Sequence, residues 1–63
     1  MENVFEIGDL VSHKKRNYFG FIVEIIEPNE EMTTLIYKVS WEHGEWMYEM
    51  EDQLRLEVKA KNT

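Results

Sequence analysis

Short apolar runs alternate with polar, turn-forming breaks along this chain, and none of its apolar spacings sustains the period of an ordinary helix. After the turn signal Gly8-Asp9, Leu10 to His13 is predicted as a short strand, closed by the polar turn Lys14-Lys15-Arg16-Asn17. Val4, Phe5 and Ile7 precede it as an apolar lead-in. Phe19 to Glu27 carries the strongest strand pattern, rich in aromatic and β-branched residues, and it stops at Pro28, which cannot donate to a ladder. Gly20 marks a bend or a close backbone approach. The run Ile22-Val23 followed by Ile25-Ile26 breaks strict alternation, as a bulge or burial on both sides would require.

Pro28 to Thr33 is a loop by composition, and Thr34 to Trp41 then alternates cleanly. Leu35, Tyr37, Val39 and Trp41 share one face, with Ile36, Lys38, Ser40 and Glu42 on the other. His43-Gly44 predicts a two-residue hairpin turn into a fourth strand, Glu45 to Met50. Along that strand Trp46, Tyr48 and Met50 fall on one side and Met47 on the other, an assignment that a bulge would reverse. Glu51-Asp52-Gln53 is too short for a stable helix and predicts one tight helical turn before a last strand, Leu54 to Val58. The tail 59–63 offers nothing to bury and is expected to fray. The expected architecture is therefore all-β: a single domain over residues 1–58, built as a five-stranded antiparallel small barrel whose closure removes exposed edges.

Composition narrows this picture. With 63 residues the chain sits at the lower limit for a self-sufficient core. It has no cysteine, so neither a disulfide nor a thiolate zinc site adds stability, a composition that fits a reducing compartment. The core must come from two tryptophans, three tyrosines, three phenylalanines and the aliphatic residues, or be completed by a partner. No stretch approaches the roughly 20 apolar residues of a membrane span. The acidic start, Met1 to Glu6, lacks the charge pattern of a secretory signal, so a soluble cytoplasmic protein is expected. Thirteen acidic against seven basic side chains give a net charge of −6, which repels phosphate backbones at long range.

Four segments together resemble the SH3-like small barrels and, within them, the Tudor, chromo-barrel and KOW-type domains. They are Gly8-Asp9-Leu10-Val11, Gly20-Phe21-Ile22-Val23-Glu24-Ile25, Tyr37-Lys38-Val39-Ser40-Trp41 running into Glu42-His43-Gly44, and Glu51-Asp52-Gln53-Leu54. The likeness spans residues 7–58. It implies a non-enzymatic module that binds peptides, modified lysines, RNA, or ribosomal and polymerase surfaces. In size and composition the chain is also similar to small accessory proteins of bacteriophages, which implies a phage or mobile-element modulator of a host nucleic-acid machine.

Three residue sets carry candidate chemistry. The acidic residues Glu42, Glu45, Glu49, Glu51 and Asp52 crowd around the last hairpin and would meet a basic protein surface, with Trp46 as an aromatic anchor. The bland counterpart is that such residues keep a small protein soluble. Lys14, Lys15 and Arg16, with Tyr18 and Phe19 following, form the alternative: a grip on phosphates with rings to stack bases. Its bland counterpart is a solvated turn. The resemblance to Tudor-like barrels adds an aromatic cage for a modified lysine, drawn from Tyr18, Phe19, Trp41, Trp46 and Tyr48 with Glu45 as the acidic rim. Against it stands ordinary packing, with Trp41 and Tyr48 in the core and Trp46 partly covering it. A further role is structural, the domain pairing with itself or a larger assembly to complete its core.

Catalysis and metal binding find little footing. His13 and His43 sit in or beside turns, without the spacing of a zinc site, and no cofactor is implied. The carboxylate pairs Glu30-Glu31 and Glu51-Asp52 lie in loops where water keeps both ionised. No phosphate-cradling glycine loop and no nucleophile elbow is present, so an enzyme is not expected.

Overall fold

The computed structural model describes residues 4–61. Five strands follow in order: β1 (Leu10–His13), β2 (Phe19–Ile26), β3 (Ile36–Trp41), β4 (Trp46–Met50) and β5 (Leu54–Val58), with a 3-10 turn at Glu51–Gln53 before the last. All pairings are antiparallel, and the sheet order is β4-β3-β2-β1-β5. The all-β antiparallel expectation and the short helical turn are therefore observed. Ladder closure is not: β4 and β5 remain the two edges of an open sheet.

The sheet is nevertheless strongly curled. His13 on β1 and Glu49 on β4 are separated by two intervening strands, yet Nε2 of one lies 3.5 Å from Oε1 of the other. A flat sheet would hold those strands roughly 14 Å apart. Two features produce the curl. Register shifts by one residue between Ile22 and Glu24, so Val23 is the bulge that the broken alternation of β2 predicts. At Gly20, an added Cβ would stand 2.6 Å from the Ser40 carbonyl oxygen and 2.7 Å from the Trp41 ring, so only glycine lets β2 fold this tightly over β3.

Inside the curl lie Phe5, Val11, Ile22, Tyr37, Val39, Trp41 and Leu54, with Tyr18, Ile25 and Leu35 packed against them. The bulge explains why Ile22 and Ile25, an odd spacing, both point inward. Tyr37 and Phe5 meet edge to face at 5.2 Å, and the Phe5 N–H donates to the Tyr37 hydroxyl at 3.4 Å. Burial pushes the Tyr37 hydroxyl above its ordinary pKa. Of the apolar lead-in only Phe5 enters the core, while Val4 and Ile7 are exposed. Tyr48, expected as core, instead points outward because β4 runs without a bulge and keeps the parity of Trp46.

The β3–β4 hairpin also differs from expectation. Within the turn Gly44, and not His43, takes a positive φ, +95°, and its N–H donates to the Trp41 carbonyl at 3.0 Å while the Trp41 N–H donates to Glu45 O at 2.8 Å. The loop is thus Glu42-His43-Gly44, three residues long, with glycine at its left-handed position.

A buried carboxylate closes the other end of the molecule. Asp9 has no exposed surface, and it accepts the Glu6 N–H at 2.8 Å, the Ala60 N–H at 2.7 Å and the Lys59 ammonium at 3.3 Å. Burial by itself would raise the Asp9 carboxyl. The two backbone donors and Lys59 outweigh it and hold the group below its ordinary value. The fraying expected of the tail is thereby corrected at its first two residues, which are fastened to the start of the sheet; residues 62–63 lie outside the described residues.

Candidate interaction surface

The acidic set expected around the last hairpin does not form one face. Glu42 and Glu45 are exposed at the β3–β4 loop, and the Glu45 carboxylate lies 3.6 Å from His43 Nε2. Asp52 is exposed and Glu51 half-buried, both on the 3-10 turn at the far end of β4. Glu49, between them, is turned inward and buried beside His13. Nδ1 of His13 accepts the Lys15 N–H at 3.1 Å, which by hydrogen-bond geometry leaves the ring proton on Nε2, facing Glu49. Glu49 therefore ties β4 to β1 and is removed from the surface a partner would meet.

What the acidic residues flank is aromatic. Trp46 is 55% exposed on the outward face of β4, and its ring meets that of Tyr48 edge to face at 5.5 Å. Lys38 on β3 places its ammonium 4.2 Å over the Trp46 ring, a cation–π contact that holds the indole against the sheet. Register then aligns three outward rows: Leu10, Phe21, Ser40 and Trp46; Glu24, Lys38 and Tyr48; and Ile26, Ile36 and Met50. Phe21, Trp46, Tyr48 and Met50 are all exposed. Beside them Ile26, Met32, Ile36 and Tyr48 line a wholly apolar hollow of about 280 Å³. Strand parity already set Met50 beside Trp46 and Tyr48, whereas Phe21 was not singled out by sequence reasoning and joins them only through the β2–β3–β4 ladder.

The basic turn is arranged differently from its linear reading. Lys14, Lys15 and Arg16 are exposed, and Phe19 is partly so. Tyr18, however, spends its ring on packing, 4.7 Å from Trp41 and 4.9 Å from His43. Arg55 joins the group from β5, opposite Ser12, and shares a polar depression with Lys14, Arg16, Phe19 and Glu57. Nothing local announces Arg55, because its position depends on pairing β1 with β5.

The aromatics proposed for a cage fall into two separate groups. Tyr18 and Trp41 stack with the histidines at one end of the core, whereas Trp46 and Tyr48 pair on the outward face. Trp41 is buried and its indole N–H has no partner among the described residues. Among the described residues no three His, Asp or Glu side chains are gathered as a metal site, and no helix is long and apolar enough to cross a membrane. No family model, no curated protein and no solved structure matches the chain.

Proposed function

We propose that this protein is a non-catalytic interaction module, an open variant of the SH3-like barrel, whose outward β3–β4 face binds a basic protein surface. The observation that carries this reading is Trp46. A tryptophan more than half exposed, braced by Lys38 and Tyr48, has the character of an interface anchor rather than of a core residue. Glu42 and Glu45 at one end of β4, and Asp52 at the other, supply the charge that steers a cationic partner.

Affinity capture tests it with wild type, Trp46→Ala and the double variant Glu42→Lys/Glu45→Lys. Basic proteins retained by wild type should be lost from both variants. Retention of the same proteins by both would overturn the reading. A second reading rests on Arg55 joining Lys14 and Arg16 around one depression beside Phe19, with Lys15 exposed on the same turn, a cationic surface suited to a nucleic-acid backbone. Titration with single-stranded DNA at low salt checks it, and no binding there removes it.

A further inference from the structure

The β4 edge is chemically unlike an edge that a soluble protein keeps open. Trp41 donates to Glu45 O at 2.8 Å, so this is a hydrogen-bonded pair of the β3–β4 ladder. Alternation then turns the backbone groups of Met47 and Glu49 toward β3, and those of Trp46, Tyr48 and Met50 away from the sheet. Edge strands are ordinarily blunted by lysine, proline, bulges or charge. Trp46–Met50 has no lysine or proline and pairs with β3 in unbroken register. Its one charge, Glu49, is held inward by His13.

We propose that two copies of this chain pair antiparallel through β4, about a two-fold axis at Tyr48. The strand is complementary to itself in that register. Trp46 faces Met50 of the second copy, Tyr48 faces Tyr48, and Met47 faces Glu49, so apolar meets apolar along the whole outward row and no like charges oppose within the strand. All three residues with outward backbone groups find partners only in this register. The row ending at Trp46 in each copy joins the row ending at Met50 in the other, so Trp46 meets the apolar run Met50, Ile36 and Ile26 across the new seam. Repulsion is confined to the ends, where Glu45 meets Glu51 of the second copy, and to the net charge of −6 on each. Self-pairing therefore strengthens as salt is added, opposite to the capture of a basic partner, which weakens. This dimer does not depend on the basic-partner reading.

Cysteine cross-linking tests the register, since the chain has no cysteine of its own. At a hydrogen-bonded pair on the axis the two Cα atoms stand about 5.5 Å apart, within disulfide reach. Tyr48→Cys should form a covalent dimer readily under mild oxidant. Trp46→Cys should not, because the two sulfurs would lie roughly 14 Å apart along the strands, and neither should Arg55→Cys on β5. Equal cross-linking of all three, or none at Tyr48→Cys, overturns the proposal. Sedimentation of the unmodified protein gives the second readout. A dimer should appear between micromolar and millimolar concentration and grow with salt, and a monomer throughout defeats the idea. Tyr48→Pro removes an outward N–H together with the ring, breaking no β3–β4 hydrogen bond, and should abolish dimerisation, while Tyr48→Thr loses the ring but keeps that N–H and should retain it in weaker form.

Discussion

Where β5 ends, the chain is fastened: Ala60 and Lys59 return to a fully buried Asp9, Glu57 accepts the Ser12 hydroxyl at 2.7 Å, and exposed Arg55 and Glu57 charge the strand. The register of β1 against β5 is also irregular between Leu10 and Val11, which twists that edge. Along β4 the one polar tether is Glu49, turned inward to His13, while the register is regular and Trp46, Met47, Tyr48 and Met50 are all exposed. Both edges belong to one sheet of the same small protein, so the difference separates two tasks. The clasped edge stabilises the fold, and the open edge is free to meet something else. A chain this short has little stability to spare, so concentrating polar tethers at one edge leaves the other able to carry exposed apolar surface.

The strongest way to break this contrast is at Asp9. Asp9→Ala leaves the Glu6 and Ala60 N–H groups without their acceptor and should cost about 3 kcal/mol, read by urea unfolding. A loss comparable to a surface substitution would show that the clasp is incidental. The same group gives the clasped edge an acid dependence. Because the folded carboxyl titrates below its ordinary value of 3.8, its contribution is intact above that pH and is lost as pH falls through the lower folded value. Asp9→Asn should flatten that part of the stability curve, and an unchanged acid limb would contradict the assignment.

Next in size is the division within the acidic set. Glu49→Lys buries a cation beside His13 and should destabilise by about 2 kcal/mol, whereas Glu45→Lys, at an exposed loop, should stay within about 0.5 kcal/mol. Similar effects at both positions would undo the separation of tether from surface. Lys59→Ala should cost only about 0.5 kcal/mol, because the ammonium is near half exposed and water screens its pairs with Glu6 and Asp9. Smallest of all, Trp46→Ala should leave the midpoint of unfolding nearly unchanged. A marked drop there would mean that the open edge also holds the fold.

Much of the scaffold is legible in the residues themselves. The alternation of Tyr37, Val39 and Trp41, the broken pattern at Val23, and the glycine at the crossing of β2 over β3 each leave a local signature, because a strand's period is two and a bulge shifts it by one. The candidate surface is legible only in part. Parity sends Trp46, Tyr48 and Met50 to one side, but the same parity sends Glu49 inward, and grouping it with its acidic neighbours by charge alone missed that. Arg55 beside the basic turn left no trace in the sequence, since only the β1–β5 ladder brings it there.

By itself the sequence determined the strands, the places of the turns and the inward face of β3 with Tyr37 and Trp41, for those follow from the preferences of adjacent residues. The tertiary structure decided that Asp9 would grip a tail 51 positions away, that Glu49 would cross two strands to reach His13, and that the sheet would stop with β4 open. Each of these depends on curl, accumulated over the whole sheet from a bulge and a glycine, and no local window of residues contains it.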